Sequence, residues 1–239
     1  MRYQFMLEFD NNDLDLDLAK IKVAYSGNIN DYIGDDIFEG VDFISVDDKS
    51  DDEINVSLKD SDLVFIIADD KTSTIAKLSR EIGALTIAIV ESEDDKTRDI
   101  DTFFVVDDSK KIVVSNIIKA IADLIAVPGL VNLDFTDIKS VLGNAGRAYV
   151  GIGEAVGKNA TIEAVKAAIN NIGDISKSRS LLLNILGATD SLSMMEVNGA
   201  SIEIQEAAHE DAEIIWGVSV DESLGNKIKV TIVAAKCTD

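Results

Sequence analysis

Asp134 and Asp137 are the residues of this chain whose type and spacing most readily suggest chemistry. They stand three apart at the start of a helix predicted over Leu133 to Leu142, a spacing that projects both carboxylates on one face, as the orienting of a reactive water requires. Acids in a first turn also cap a helix and favour its dipole, so spacing alone leaves both roles open. A second pair, Asp69 and Asp70, offers the hard oxygen ligands that magnesium takes. The other candidates point away from metal chemistry. His209 has no second His and no Cys nearby, which argues against zinc, and it is expected exposed near the end of a helix. Cys237 is the single cysteine, so no intramolecular disulfide can form and a reducing compartment is the natural expectation. Trp216 and the Met194–Met195 pair fall in strand and turn contexts where core packing is the simpler expectation.

These residues must be positioned by an alternating set of elements. Ile21 to Tyr25, Phe43 to Val46, Leu63 to Ala68, Leu85 to Val90 and Phe103 to Val106 are nearly all apolar and too short for helices, as buried parallel strands are. Between the third and fourth, Thr72 to Ile82 carries Ile75, Ala76, Leu78 and Ile82 at helical spacing, with Gly83 just beyond as a stop. Lys110 to Ala126 is the longest helix. Its broad apolar stripe predicts burial on more than one side, and it ends before Pro128, the only proline. Downstream the pattern predicts a strand over Gly146–Ile152, a helix over Thr161–Ile169, a strand over Leu181–Leu186 and a helix over Gly199–Gln205. Two final strands, Ile214–Val220 and Ile228–Ala234, are expected to form a hairpin through Glu222–Asn226.

At 239 residues with 46% hydrophobic content, the chain can bury a sizeable core in one or two domains. A net charge of −22 repels phosphate backbones and anionic lipid, which disfavours nucleic acid and membrane surfaces as partners. The charge is uneven: residues 1–109 hold 28 of the 44 acids and 10 of the 22 bases, a net of −18. Met1 to Lys20 has no basic region followed by an apolar core, and no apolar run approaches the roughly 20 residues needed to span a bilayer. The expectation is a cytoplasmic protein, neither exported nor inserted.

Pro128-Gly-Leu-Val-Asn-Leu-Asp-Phe-Thr-Asp137, then Ile138-Lys-Ser-Val-Leu142 and Gly146-Arg-Ala-Tyr-Val-Gly-Ile-Gly-Glu-Ala155, resemble the tubulin-like cell-division protein FtsZ. The first stretch resembles that family's synergy (T7) loop, with the N-x-D-x-x-D pattern on Asn132, Asp134 and Asp137 and the loop glycine at Gly129. The likeness continues through Leu181 to Ala188, Asp190 to Glu196 and Lys229 to Ala235, and upstream through Gly40 to Val46, Asp62 to Ile66 and Ile82 to Val90. In the resembled family the active site forms between subunits: loop carboxylates of one subunit reach the γ-phosphate bound by the next. The sequence stops where the globular part of such proteins ends, so their flexible tail and terminal peptide are expected to lie outside it.

The nucleotide-binding half departs from that pattern. FtsZ proteins hold GTP on glycine-rich loops, whose backbone amides curl around phosphate oxygens. Here the first loop reads Ser26-Gly27-Asn28-Ile-Asn-Asp31, with one glycine, and the second reads Ala68-Asp69-Asp70-Lys71-Thr72-Ser-Thr74, with none. Each carboxylate–phosphate contact costs on the order of 1 to 4 kcal/mol, and Lys71 offsets only one. Counting back from Pro128, the family's guanine-contacting Asn falls at Lys111. Between Asp47 and Ser61 a short acidic link is expected where relatives carry a helix, a loop and an edge strand.

The resemblance implies a tubulin/FtsZ-like α/β fold. Its parts are an N-terminal extension (1–20), a reduced Rossmann-like parallel-sheet domain (21–109), a central helix (110–126), a T7-like loop (127–137) and a C-terminal α/β domain of mixed sheet (138–239). The function it implies is that of a non-GTPase with no cofactor and no metal, which presents Gly129, Asn132, Asp134 and Asp137 to the nucleotide face of an FtsZ-like subunit and modulates or caps filaments. Two alternatives stand beside it: a structural protein that self-assembles without nucleotide, and a residual GTPase active only on assembly.

Overall fold

The computed structural model of the protein describes residues 19–34, 38, 40–67, 70–93, 98–106, 111–126, 129–131 and 133–237. The first half runs β1 (Ile21–Tyr25), α1 (Asn30–Ile33), β2 (Val41–Ser45), α2 (Asp51–Leu58), β3 (Leu63–Ile67), α3 (Thr72–Glu81), β4 (Leu85–Val90), β5 (Thr102–Val105) and α4 (Lys111–Ala126). The second half follows with β6 (Gly129–Val131), α5 (Phe135–Leu142), β7 (Gly146–Arg147), β8 (Tyr149–Val156), α6 (Ala160–Ile172), β9 (Ser178–Gly187), α7 (Met194–Ala207), β10 (Glu213–Val220) and β11 (Lys227–Cys237).

Two sheets result. The first is parallel throughout, in the order β2-β1-β3-β4-β5-β7. The second is mixed, β6-β10-β9-β11-β8, with β9 and β10 parallel and the other pairs antiparallel. Every residue of β3 and β4 is buried, as central strands covered on both faces must be. One face of the first sheet packs on α2 and α3 through Ile54, Leu58, Ile75 and Ala76. Its other face packs on α4, in a core that also takes in Ile138, Val141 and Leu142 of α5 and Leu182, Val233 and Ala235 of the second sheet. The broad apolar stripe of α4 serves this shared core, while Asn116, Lys119 and Asp123 of the same helix line a small cleft with Asn184, Lys229 and Thr231 of the second sheet. The outer face of the second sheet is closed by α6 and α7. There Gly153 lets the backbones approach, since a Cβ on it would stand 2.0 Å from the Ala164 carbonyl oxygen.

Several expectations need correction. The link after β2 is no irregular acidic stretch. Ser50 and Glu53 form a reciprocal capping box that starts α2, and Ile54 and Leu58 anchor the helix on the sheet. The final two strands form no hairpin, because β9 lies between them. The chain from β9 through α7 to β10 is a strand–helix–strand unit that makes β10 a parallel neighbour, so β11 must take the other edge of β9. Residues 221–226 therefore cross the end of β9, tied there by Asp221 N–H to the Gly187 carbonyl at 3.0 Å and by Ser191 Oγ to the Gly225 carbonyl at 2.7 Å. The strand expected over 146–152 is divided at Ala148: β7 joins the first sheet and β8 the second. α7 starts five residues earlier than its pattern suggested, and Met194 and Met195, expected in the core, are 55% and 86% exposed on its first turn.

Candidate functional site

The sequence-predicted site residues fall toward two edges of the first sheet. At the carboxyl ends of its strands lie the residues read as degenerate nucleotide loops. At the opposite edge lies the end of α5, the helix that follows the T7-like loop: Lys139 Nζ reaches the carbonyl of Gly83, which precedes β4, at 3.2 Å, and Asn144 N–H reaches Asp101, which precedes β5, at 3.2 Å. Along α4 the two edges are separated by about 24 Å, from 16 residues at 1.5 Å each.

The carboxyl-end edge is closed by its own side chains. Gly27 has φ +76°, and its N–H donates to both carboxylate oxygens of Asp47, at 3.0 and 3.2 Å. Ser45 Oγ donates to the same carboxylate at 3.0 Å. Hydrogen bonds from the Ser26 and Ser45 side chains and the Gly27 amide, with the field of Lys71, hold the Asp47 carboxyl below its usual range despite opposing desolvation. Asn28 makes a local turn, accepting the Asn30 N–H at 3.2 Å. Lys71 points back along the sheet edge, donating to the carbonyls of Val46 at 2.8 Å and Lys49 at 2.6 Å. Thr72 is buried at the start of α3, and Asp70 is exposed. Asp69 lies outside the described residues, and Lys111 opens α4 with its side chain outside them.

From the sequence Asp47 stands only at the start of a short acidic link. The signal was positional: Ser26, Asp47 and Asp70 each follow a strand of one parallel sheet, so topology brings them to one edge.

At the other edge the acids divide their roles. Asp134 is the N-cap of α5, its Oδ1 accepting the Asp137 N–H at 2.8 Å, so the capping role applies to Asp134. Asp137 sits half-buried in the first turn; its backbone N–H is the donor to that cap, and its carboxylate is not the capping group. Gly129 enters the second sheet, where β6 pairs with β10, Gly129 opposite Ser219. Asn132 lies outside the described residues. Among the described residues no group of three or more His, Cys, Asp or Glu is arranged to hold a metal ion. His209 is half-buried beside Arg179 and accepts the Asp211 N–H on Nδ1 at 3.1 Å. No helix among the described residues is long and apolar enough to cross a membrane.

Comparison with known proteins agrees with this architecture. The C-terminal domain of the FtsZ family matches residues 146–238. The cell division protein FtsZ of Haloferax mediterranei is 34% identical over 228 aligned residues, covering 77% of this chain and 60% of that protein, so the chain spans about 60% of the length of this curated relative. Among solved structures, a mutant of M. jannaschii FtsZ matches with a TM-score of 0.80 at 24% identity, covering 92% of each chain. TubZ of Bacillus thuringiensis serovar israelensis, in GDP-form protofilaments, matches with a TM-score of 0.63 at 9% identity, covering 92% of this chain and 84% of that one.

Proposed function

The chain is an FtsZ/tubulin-like protein, and from that premise we propose that it serves cell division or a related cytoskeletal process in the cytoplasm as a non-GTPase partner of FtsZ-like subunits. It offers the T7-like loop, with Gly129, Asn132, Asp134 and Asp137, to the nucleotide face of such a subunit and so caps a filament or alters turnover at its end. The observation that carries this reading is the internal closure of the opposite edge: the Gly27 amide is engaged by Asp47 and the Lys71 ammonium by two backbone carbonyls. A protein with a donor loop and a self-occupied crevice can take part in only one of the two contacts of a head-to-tail filament. Asp134 orders the loop as a cap, which leaves Asp137 as the carboxylate that reaches the partner.

Two measurements test this. Calorimetric titration with GTP, GDP and ATP in magnesium should give flat traces; a saturable heat would defeat the non-GTPase reading. Co-sedimentation with a GTP-bound FtsZ-like subunit should show association that Asp137→Ala weakens by at least about tenfold. Absence of association would defeat the capping mechanism. A second reading, nucleotide-independent self-assembly, is favoured by the solved M. jannaschii relative being an FtsZ dimer, matching with a TM-score of 0.77 at 24% identity over 91% of this chain and 88% of that one. Light scattering of the protein alone separates the two, because a capping partner stays small and a self-assembling protein grows.

A further inference from the structure

The order of the first sheet reverses direction between β1 and β3, since the chain leaves β1 for β2 on one side and returns to β3 on the other. In open parallel sheets, ligands bind outside the carboxyl ends of the strands at such a point. Here the groups that meet there are donors: the Gly27 N–H, the Ser26 and Ser45 hydroxyls and, close by, the Lys71 ammonium. A convergent set of amide, hydroxyl and ammonium donors suits an oxyanion. Gly27 is glycine for its backbone conformation rather than for space, since a Cβ there would meet nothing within 4 Å while φ is +76°. That left-handed conformation goes with an N–H turned toward the neighbouring strand end, where Asp47 receives it on both oxygens.

We infer that Asp47 is a built-in ligand, its carboxylate holding an anion seat made by Gly27, Ser26 and Ser45, so that this edge is ordered with no bound molecule and removal of the side chain opens the seat to an inorganic oxyanion. The inference rests on the proposed reading that the crevice of the unaltered protein takes no nucleotide. Asp47 is exposed, so its truncation leaves no buried cavity. Lys71 continues to hold the link after β2 through the carbonyls of Val46 and Lys49.

The test is amide NMR of the full chain with inorganic phosphate as the probe, following the Gly27 signal. The wild-type signal stays in place with phosphate and with magnesium GTP. In Asp47→Ala, phosphate moves it saturably, with an affinity at least about tenfold above the wild type, on the scale expected when one like charge leaves the site. Asp47→Asn, which removes the charge and keeps the shape, gains a smaller increment in the same direction and decides the matter if the Ala variant fails to fold. Phosphate acting equally on wild type and variants, or on none of them, overturns the inference while leaving the functional reading intact. Magnesium GTP moving the Gly27 signal in the wild type overturns both.

Discussion

Asp47 and Asp134 do the same elementary thing at opposite edges of one sheet, and the outcomes differ. Each is an exposed aspartate whose carboxylate accepts backbone N–H groups. Asp134 satisfies a donor at the start of α5 and so fixes the first turn of that helix. Asp47 satisfies a donor that lies 20 residues away, at the end of the neighbouring strand. The same carboxylate–amide bond is local where the amide belongs to the carboxylate's own helix and long-range where it comes from a neighbouring strand end, and on the proposed reading only the second removes a site.

The contrast can be broken most strongly from beneath. Ile54 is fully buried and fastens α2 behind the crevice edge, so Ile54→Ala is expected to cost about 2–4 kcal/mol in urea unfolding. Hydrogen exchange should then quicken across residues 46–58 and leave α5 unchanged. Lys71→Met removes two charge-assisted bonds to the Val46 and Lys49 carbonyls, an expected loss of about 1.5–3 kcal/mol, again confined by exchange to the crevice edge. At the loop edge, Asp134→Ala removes the cap of α5 and should cost about 1 kcal/mol, while Asp134→Asn retains most of it. Asp137→Ala should change stability by less than about 0.5 kcal/mol, so any loss of partner binding in that variant belongs to the interface.

The smallest expected effect is a pH dependence whose sign differs between groups. Hydrogen bonds hold Asp47 and Glu53 below their usual range, in Glu53 chiefly from the Ser50 backbone and hydroxyl. Their contribution is complete above the unfolded pKa and fades as pH falls through the folded one, below about pH 4. Asp123 on α4 is shifted upward by burial, against the pull of Lys119 at 3.0 Å, so protonating it favours the folded state. Urea midpoints measured between about pH 7 and 3 should therefore fall less steeply for Asp47→Ala than for the wild type, and more steeply for Asp123→Asn.

Much of the first sheet could be read directly from residue order. β1 and β4 have the bounds their apolar runs predicted, because a strand buried on both faces advertises itself by composition alone. The double-sided stripe of α4 likewise announced a helix between two layers. What stayed hidden needed spatial information. Ser50-x-x-Glu53 is a capping-box pattern, but the surrounding acids disguised it as a solvated link. β10 and β11 are separated by a short turn, and nothing local reveals that β9 lies between them; only the parallel pairing enforced by α7 does. At the candidate site, the glycine-poor loops were legible as departures from a phosphate cradle. The bond from Gly27 to Asp47 was not legible, since the two lie 20 residues apart along the chain.

The division of one predicted strand at Ala148 bears on how the two halves can move. Arg147 is registered with Phe103 in one sheet and Tyr149 with Ala234 in the other, and the residue between them is buried, its N–H bonded to the Phe103 carbonyl at 2.9 Å. A single residue provides no slack. At this corner the sheets behave like plates riveted at a shared seam, so rotation between them must either pivot there or first unzip β7 from β5.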